Sequence, residues 1–122
     1  MADKPTPKPL HWIGASYDEL GELPREVIHN IGYALYIAQI GGKLHNVKPL
    51  RGFAGAGVLE VVEDHDGDTY RAVYTVKFAR RVYVLHAFQK KSKTGIKTPQ
   101  ATIDLIEKRL KLAEEHFKGV KK

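Results

Sequence analysis

The sequence predicts an α+β fold: an N-terminal α-hairpin packed on a small antiparallel β-sheet and closed by a C-terminal helix. Three observations carry this. Val27, Ile28, Ile31, Leu35 and Ala38 recur at helical spacing, Val58 to Phe88 is rich in β-branched and aromatic residues with two-residue alternation, and Ile103, Ile106, Leu110, Ala113 and Phe117 make a second helical stripe. At 122 residues the chain is expected to form one domain, burying roughly two thirds of its unfolded surface.

Residues 1–9 carry three prolines, three charges and few apolar side chains, which predicts a flexible arm ahead of a single domain over 10–118 and a basic tail over 119–122. Leu10 to Ile13 reads as a short strand. Ser16-Tyr17-Asp18-Glu19 matches a capping box, in which the Ser and Glu side chains satisfy helix-start amides reciprocally. Pro24 interrupts that helix but suits the first turn of a second one, which runs to Gly41-Gly42. From Gly42 to Gly57, Pro49 and several glycines predict irregular chain carrying Lys43, Lys48 and Arg51.

A meander of three antiparallel strands follows. Val58 to Glu63 is the first, and Asp64-His65-Asp66-Gly67-Asp68 is a tight turn. This turn resembles the start of a calcium loop, but Thr75 stands where the closing glutamate would be. In the second strand Tyr70, Ala72, Tyr74, Val76 and Phe78 are expected toward the core, with Arg71, Val73, Thr75 and Lys77 toward solvent. Arg81 to Phe88 is apolar on both faces, as a central strand should be. Thr98-Pro99 then starts the closing helix.

Charge is distributed unevenly. The net charge is +6, yet Arg71 to Ile103 holds eight cations (Arg71, Lys77, Arg80, Arg81, Lys90, Lys91, Lys93 and Lys97) and no acid, so the rest of the chain is slightly acidic. With Tyr70, Tyr74, Phe78, Tyr83, His86 and Phe88 interleaved, this window suits a polyphosphate partner, since cations neutralise phosphates and rings stack on bases. Lys77, Arg80 and Arg81 read as a solvated turn. Arg71, Lys90 and Lys91 read as a phosphate-contacting group, with Lys93 and Lys97 steering association. His86, four residues before Lys90, is the histidine placed to exchange a proton beside phosphate.

Other chemistries are excluded or unsupported. Cysteine is absent, which removes disulfides, thiolate metal sites and cysteine nucleophiles. The six histidines are scattered without a His-x-x-x-His pair, so no metal and no cofactor is expected. The glycines of Arg51 to Gly57 lack the Gly-Lys-Ser/Thr ending of a phosphate-binding loop. No apolar run approaches the ~20 residues of a membrane span, and MADKPTPKPLHW lacks a secretory apolar run. A cytoplasmic location with no membrane partner is the expectation.

Ile31-Gly32-Tyr33-Ala34-Leu35-Tyr36 with Gly41-Gly42, Lys48-Pro49-Leu50-Arg51-Gly52-Phe53, Tyr70-Arg71-Ala72-Val73-Tyr74, and His86-Ala87-Phe88-Gln89-Lys90-Lys91-Ser92 leading to Thr98-Pro99 resemble the RelE/ParE superfamily of type II toxins. Within it, the chain is similar to the HigB-like, phage-derived branch over roughly Leu10 to Phe117. The resemblance implies a RelE-like fold and a ribosome-dependent mRNA endoribonuclease silenced by a cognate antitoxin, commonly of helix-turn-helix type. Taken with the residue reading, it leaves Arg71, Lys90, Lys91 and His86 as the expected catalytic group, with Lys48, Arg51, Tyr74, Lys93 and Lys97 expected on the RNA. Arg71 matches the family's meander arginine, and Lys90 the basic residue ending its last strand. One departure stands out: many relatives supply a Tyr or His from the extreme C-terminal region, whereas here no Tyr follows Tyr83 and His116 stands alone. A non-catalytic, ParE-like gyrase-binding toxin and a basic regulatory module are the alternative expectations.

Overall fold

The computed structural model of the chain describes residues 6–53, 55, 57–90 and 98–121. Lys91, Lys93 and Lys97, the first five residues of the expected arm and Lys122 lie outside the described residues. The elements are β1 (Leu10–Trp12), α1 (Ser16–Gly21), α2 (Arg25–Gln39), β2 (Val47–Pro49), β3 (Val58–His65), β4 (Asp68–Thr75), β5 (Val82–Lys90) and α3 (Gln100–Lys121). One sheet has the order β1-β5-β4-β3-β2. From β2 to β5 the neighbours are antiparallel, and β1 joins the edge of β5 in parallel, so the sheet is mixed.

Two apolar clusters sandwich this sheet. Leu20 of α1 and Val27, Ile31, Ala34, Leu35 and Ala38 of α2 pack on Val61, Tyr70, Ala72, Tyr74, Val82 and Val84. On the opposite face, Ile103, Ile106, Leu110, Ala113 and Phe117 of α3 pack on Val58, Val73, Tyr83 and Leu85. The helical stripes read from the sequence thus find their surfaces. One expectation is corrected: Arg71, Val73 and Thr75 do not face solvent, because α3 covers that side of β4. A helix with an apolar stripe must bury it, and the second sheet face is where it does so.

The β3–β4 connection is the turn that Asp66-Gly67 predicts. Both residues have positive φ, 50° and 83°, as a two-residue hairpin requires, and the short side chain of Asp and the bare Cα of Gly tolerate that geometry. β4 ends at Thr75 rather than Phe78. There Thr75 Oγ1 donates to the Gly57 carbonyl and accepts from the Lys77 amide, which turns the chain out of the sheet. β2 is an element the glycine and proline content concealed: Pro49 is tolerated because this strand is an edge. A β-bulge leaves Leu85 without a partner, since Val73 pairs with His86 while Tyr74 pairs with Val84.

The expected capping box does not form. α1 starts after Ala15 with no side-chain cap. Ser16 Oγ donates instead to the Val84 carbonyl, and Glu19 Oε1 accepts the Ala87 amide. β1 stops opposite Val84, so these side chains, with Arg109 Nη1 donating to the Leu85 carbonyl, satisfy the β5 edge that β1 leaves open. Glu19 is drawn to the Ala87 amide beyond the end of β1, and Ser16 adds a second bond to the Val84 carbonyl, which already accepts the Ile13 amide; these contacts compete for the two side chains and win.

Candidate nucleic-acid interface

Lys48 on β2, Glu60 on β3 and Arg71 on β4 form a row across the α3 face of the sheet. Lys48 is directly opposite Glu60, and Arg71, opposite Val62, is diagonal to it. Arg71 Nη1 donates to Glu60 Oε1 at 2.8 Å, and Lys48 Nζ approaches the same oxygen at 3.7 Å. Arg71 is 7% and Glu60 2% exposed, whereas the Lys48 side chain is 62% exposed. The row therefore runs from a buried ion pair out to a solvated ammonium.

A cleft of about 440 Å³ opens beside this row. Arg51 and Gly52 of the β2–β3 loop form one wall, Thr98, Gln100 and Ile103 at the start of α3 another, and Pro49 and Leu50 add apolar surface. Three cations meet one carboxylate, so the cleft is net positive. Glu60 Oε2 and Arg71 Nε are buried without hydrogen-bond partners. A buried unpaired acceptor beside a buried unpaired donor is costly, and such groups concentrate where ligands bind. Flat apolar walls with convergent cations suit a nucleotide, its base against Pro49, Leu50 and Ile103 and its phosphate toward Arg71 and Arg51.

The strand register decides which expected residues share this face. Phe88 is directly opposite Arg71, and Lys90 is opposite Thr69, so Lys90 lies on the Arg71 face one diagonal away, a Cα separation of about 7–8 Å. Thr98, where the chain is next described, lines the cleft. Lys48, Arg51 and Arg71 are thus brought together, with Lys90 at the border.

Two expected residues stand elsewhere. Tyr74 is fully buried among α1, α2 and the opposite sheet face, where burial pushes its hydroxyl pKa up to about 12; its assignment to RNA is corrected, because no ligand in the cleft can reach it. His86 is stacked on Phe88 at 4.8 Å and is held by a separate network. Its Nδ1–H donates to Glu19 Oε1 at 2.8 Å, and Arg109 forks onto the same carboxylate at 2.8 and 3.0 Å. Burial works to raise the Glu19 pKa, but hydrogen bonds and charge from Arg109 and His86 outweigh it and hold the carboxyl below its ordinary value. His116 lies far along α3: about 20 Å of helix separates it from Ile103 at the cleft. It pairs with the Tyr83 hydroxyl and packs on His11 instead.

The sequence reading missed Glu60, Glu19 and Arg109. Signals existed: Glu60 is the one charge within Val58 to Val62, and Arg109 sits three residues after Ile106, on the apolar stripe of α3. A charge on a core-facing position implies a buried partner.

A family model described as phage derived protein Gp49-like (DUF891) matches residues 18–111. No curated protein matches the chain. Among solved structures, a mutant of the E. coli toxin RelE in the free state superposes with a TM-score of 0.57 at 15% identity, covering 87% of this chain and 97% of that one. The RelBE2 toxin–antitoxin complex from Mycobacterium tuberculosis gives 0.49 at 19% identity, covering 70% of this chain and 100% of that one. The RelE match shows a shared fold.

Proposed function

Since the chain belongs to the phage-derived Gp49-like family, a RelE/HigB-type toxin family, we propose that it is the toxin of a type II toxin–antitoxin pair, acting as a ribosome-dependent mRNA endoribonuclease. The observation that carries this reading is the cleft in which Lys48, Arg51 and Arg71 converge around a buried carboxylate. Cleavage uses the RNA's own 2′-hydroxyl, which must be aligned with the scissile phosphate, lose a proton and leave the 5′-oxygen with one. Arg71 binds the phosphate oxygens, its permanent charge offsetting what builds on the phosphorane. Lys90 adds positive charge from the end of β5, and Lys91 follows it in the chain. A phosphate reaching Arg71 competes with Glu60 for the guanidinium, and the carboxylate so released is the proton acceptor for the 2′-hydroxyl. In this reading His86 is the proton donor as its imidazolium, Nδ1–H staying on Glu19 and Nε2–H giving its proton to the leaving 5′-oxygen. Such an apparatus aligns RNA weakly by itself, and a ribosome that holds the mRNA supplies the missing orientation.

Mapping transcript 5′ ends after induction tests this with wild type, Arg71→Lys, Glu60→Gln and His86→Gln at equal expression. New 5′ ends in the wild type that vanish in Arg71→Lys and Glu60→Gln support it. Intact transcripts with stalled replication would turn the reading to a gyrase-binding toxin. The cognate antitoxin, of helix-turn-helix type in this reading, covers the basic face with carboxylates, and its co-expression restores growth.

A further inference from the structure

Cations that precede β5 gather with two histidines at the far end of α3. His11 of β1 pairs in register with Tyr83, and α3 brings His116 onto both. His11 stacks on Tyr83 with ring centroids 4.9 Å apart, and the His116 ring lies 4.8 and 5.6 Å from the two. Arg81 Nη1 donates to His11 Nε2 at 3.0 Å, while the Tyr83 hydroxyl bonds His116 Nδ1 at 2.9 Å. Lys77 reaches the same cluster, its Nζ 5.7 Å over the Phe78 ring that packs on Tyr83, and Arg80 adjoins Arg81 in the chain. Among the described residues, His11 Nδ1, His116 Nε2 and Arg81 Nη2 have no hydrogen-bond partner, and no carboxylate pairs with any of these groups. On α3, Leu112 and Val120 lie one turn from His116, Glu114 pairs with Lys118, and Glu115 projects about 100° round the helix.

We propose that His11, Arg81 and His116 bind a doubly charged phosphate, either inorganic or at the terminus of a nucleotide. Two imidazoles also suit a metal cation, but a guanidinium held 3.0 Å from His11 repels one, whereas all three groups attract an oxyanion. The bond from Arg81 needs a neutral His11 Nε2, and burial with the neighbouring charges keeps that ring neutral. A bound anion reverses the balance: His11 takes up a proton, and Arg81 is released to turn its fork onto the phosphate oxygens. Arg81 and two imidazolium rings match a dianion better than the single charge of a backbone diester or a carboxylate. The site uses none of the cleft residues and lies about 20 Å along α3 from Ile103, so it is independent of the nuclease reading.

The test follows the histidine rings of the full-length, isotope-labelled protein by NMR, near neutral pH and at constant ionic strength. Inorganic phosphate, adenosine 5′-monophosphate and the diester ApA are added in turn. Saturable shifts of His11 and His116 with the first two and not with ApA are the expected result, and phosphate should raise the pH midpoint of the His11 ring. Tighter binding of the nucleotide than of inorganic phosphate identifies a nucleotide end as the occupant, and equal binding identifies phosphate itself. Arg81→Gln, which can still donate to His11, and His116→Gln, at an exposed position, should each weaken binding about tenfold, in line with one charged hydrogen bond. Equal shifts with ApA, no saturable shift at tens of millimolar phosphate, an unmoved His11 midpoint, or unchanged affinity in both variants would each overturn the proposal.

Discussion

Arg71 and Glu60 are both more than nine-tenths buried and joined at 2.8 Å, so removing either strands the charge of the other inside the domain. Arg71→Ala is therefore expected to cost about 3–5 kcal/mol of stability, the usual price of one missing partner in a buried pair. Urea unfolding of Arg71→Ala, Glu60→Ala and the double variant checks it, the double losing clearly less than the sum. An additive double would mean that the pair is not coupled. For the same reason a loss of toxicity in Arg71→Ala says little by itself, and Arg71→Lys, which keeps the charge but loses the fork, is the informative probe of phosphate contact. Glu19 differs in being 22% exposed and multiply hydrogen-bonded. Its folded pKa is lowered from 4.5, so its contribution is complete above that value and is lost as pH falls through the lower folded value. Glu19→Gln should flatten the fall of the urea midpoint below pH 4.5, the ordinary carboxyl value.

α3 is held at three levels along its length. Its first turn borders the cleft through Gln100 and Ile103, Arg109 ties its middle to Glu19 and the Leu85 carbonyl, and His116 meets Tyr83 and His11 near its end. The last contact is pH-sensitive. Burial, then the charges of His116 and Arg81, lowers the His11 pKa from 6.5. Its Nε2 accepts a hydrogen bond from Arg81 Nη1 at 3.0 Å, which a protonated ring could not do. A histidine with a depressed folded pKa stabilises fully above pH 6.5, and that stability erodes as pH drops from there toward the folded value. Amide exchange in the last turns of α3 should therefore accelerate as pH falls below 6.5, after correction for intrinsic rates, and His11→Gln should remove the change. Equal pH dependence in wild type and His11→Gln would rule the contact out as the cause.

Across the whole molecule charge is segregated along the sheet, the cations gathering at the cleft under α3 and the acids Glu63, Asp64, Asp66 and Asp68 around the β3–β4 hairpin. RNA or an acidic antitoxin segment meeting the cleft exchanges protein cations for released counterions. With three to five phosphate contacts from Lys48, Arg51, Arg71, Lys90 and Lys91, log K for single-stranded RNA should fall against log salt with a slope of roughly −2 to −4. Fluorescence anisotropy across a salt series measures it. A flat line would mean that the cleft binds through its apolar walls. Among the described residues no helix is long and apolar enough to cross a membrane.

The order of elements, the two helical stripes, the Asp66-Gly67 turn and the cationic window were legible in the sequence alone, because each rests on residues close in the chain. Periodicity, turn chemistry and local charge need no partner from elsewhere to be read. The brief strand β2, the burial of the Arg71 face and the loss of the capping box were not legible, because each depends on a remote competitor: β3 for β2, α3 for Arg71, and the open edge of β5 for Ser16 and Glu19. The site divides the same way. Arg71, Lys48 and Arg51 could be nominated from charge and resemblance, but only strand register placed them in one cleft and moved Tyr74 to the opposite face. Sequence determined which groups carry charge; the tertiary structure decided which charges are paired, because pairing of buried charges is set by the distance and desolvation that packing imposes.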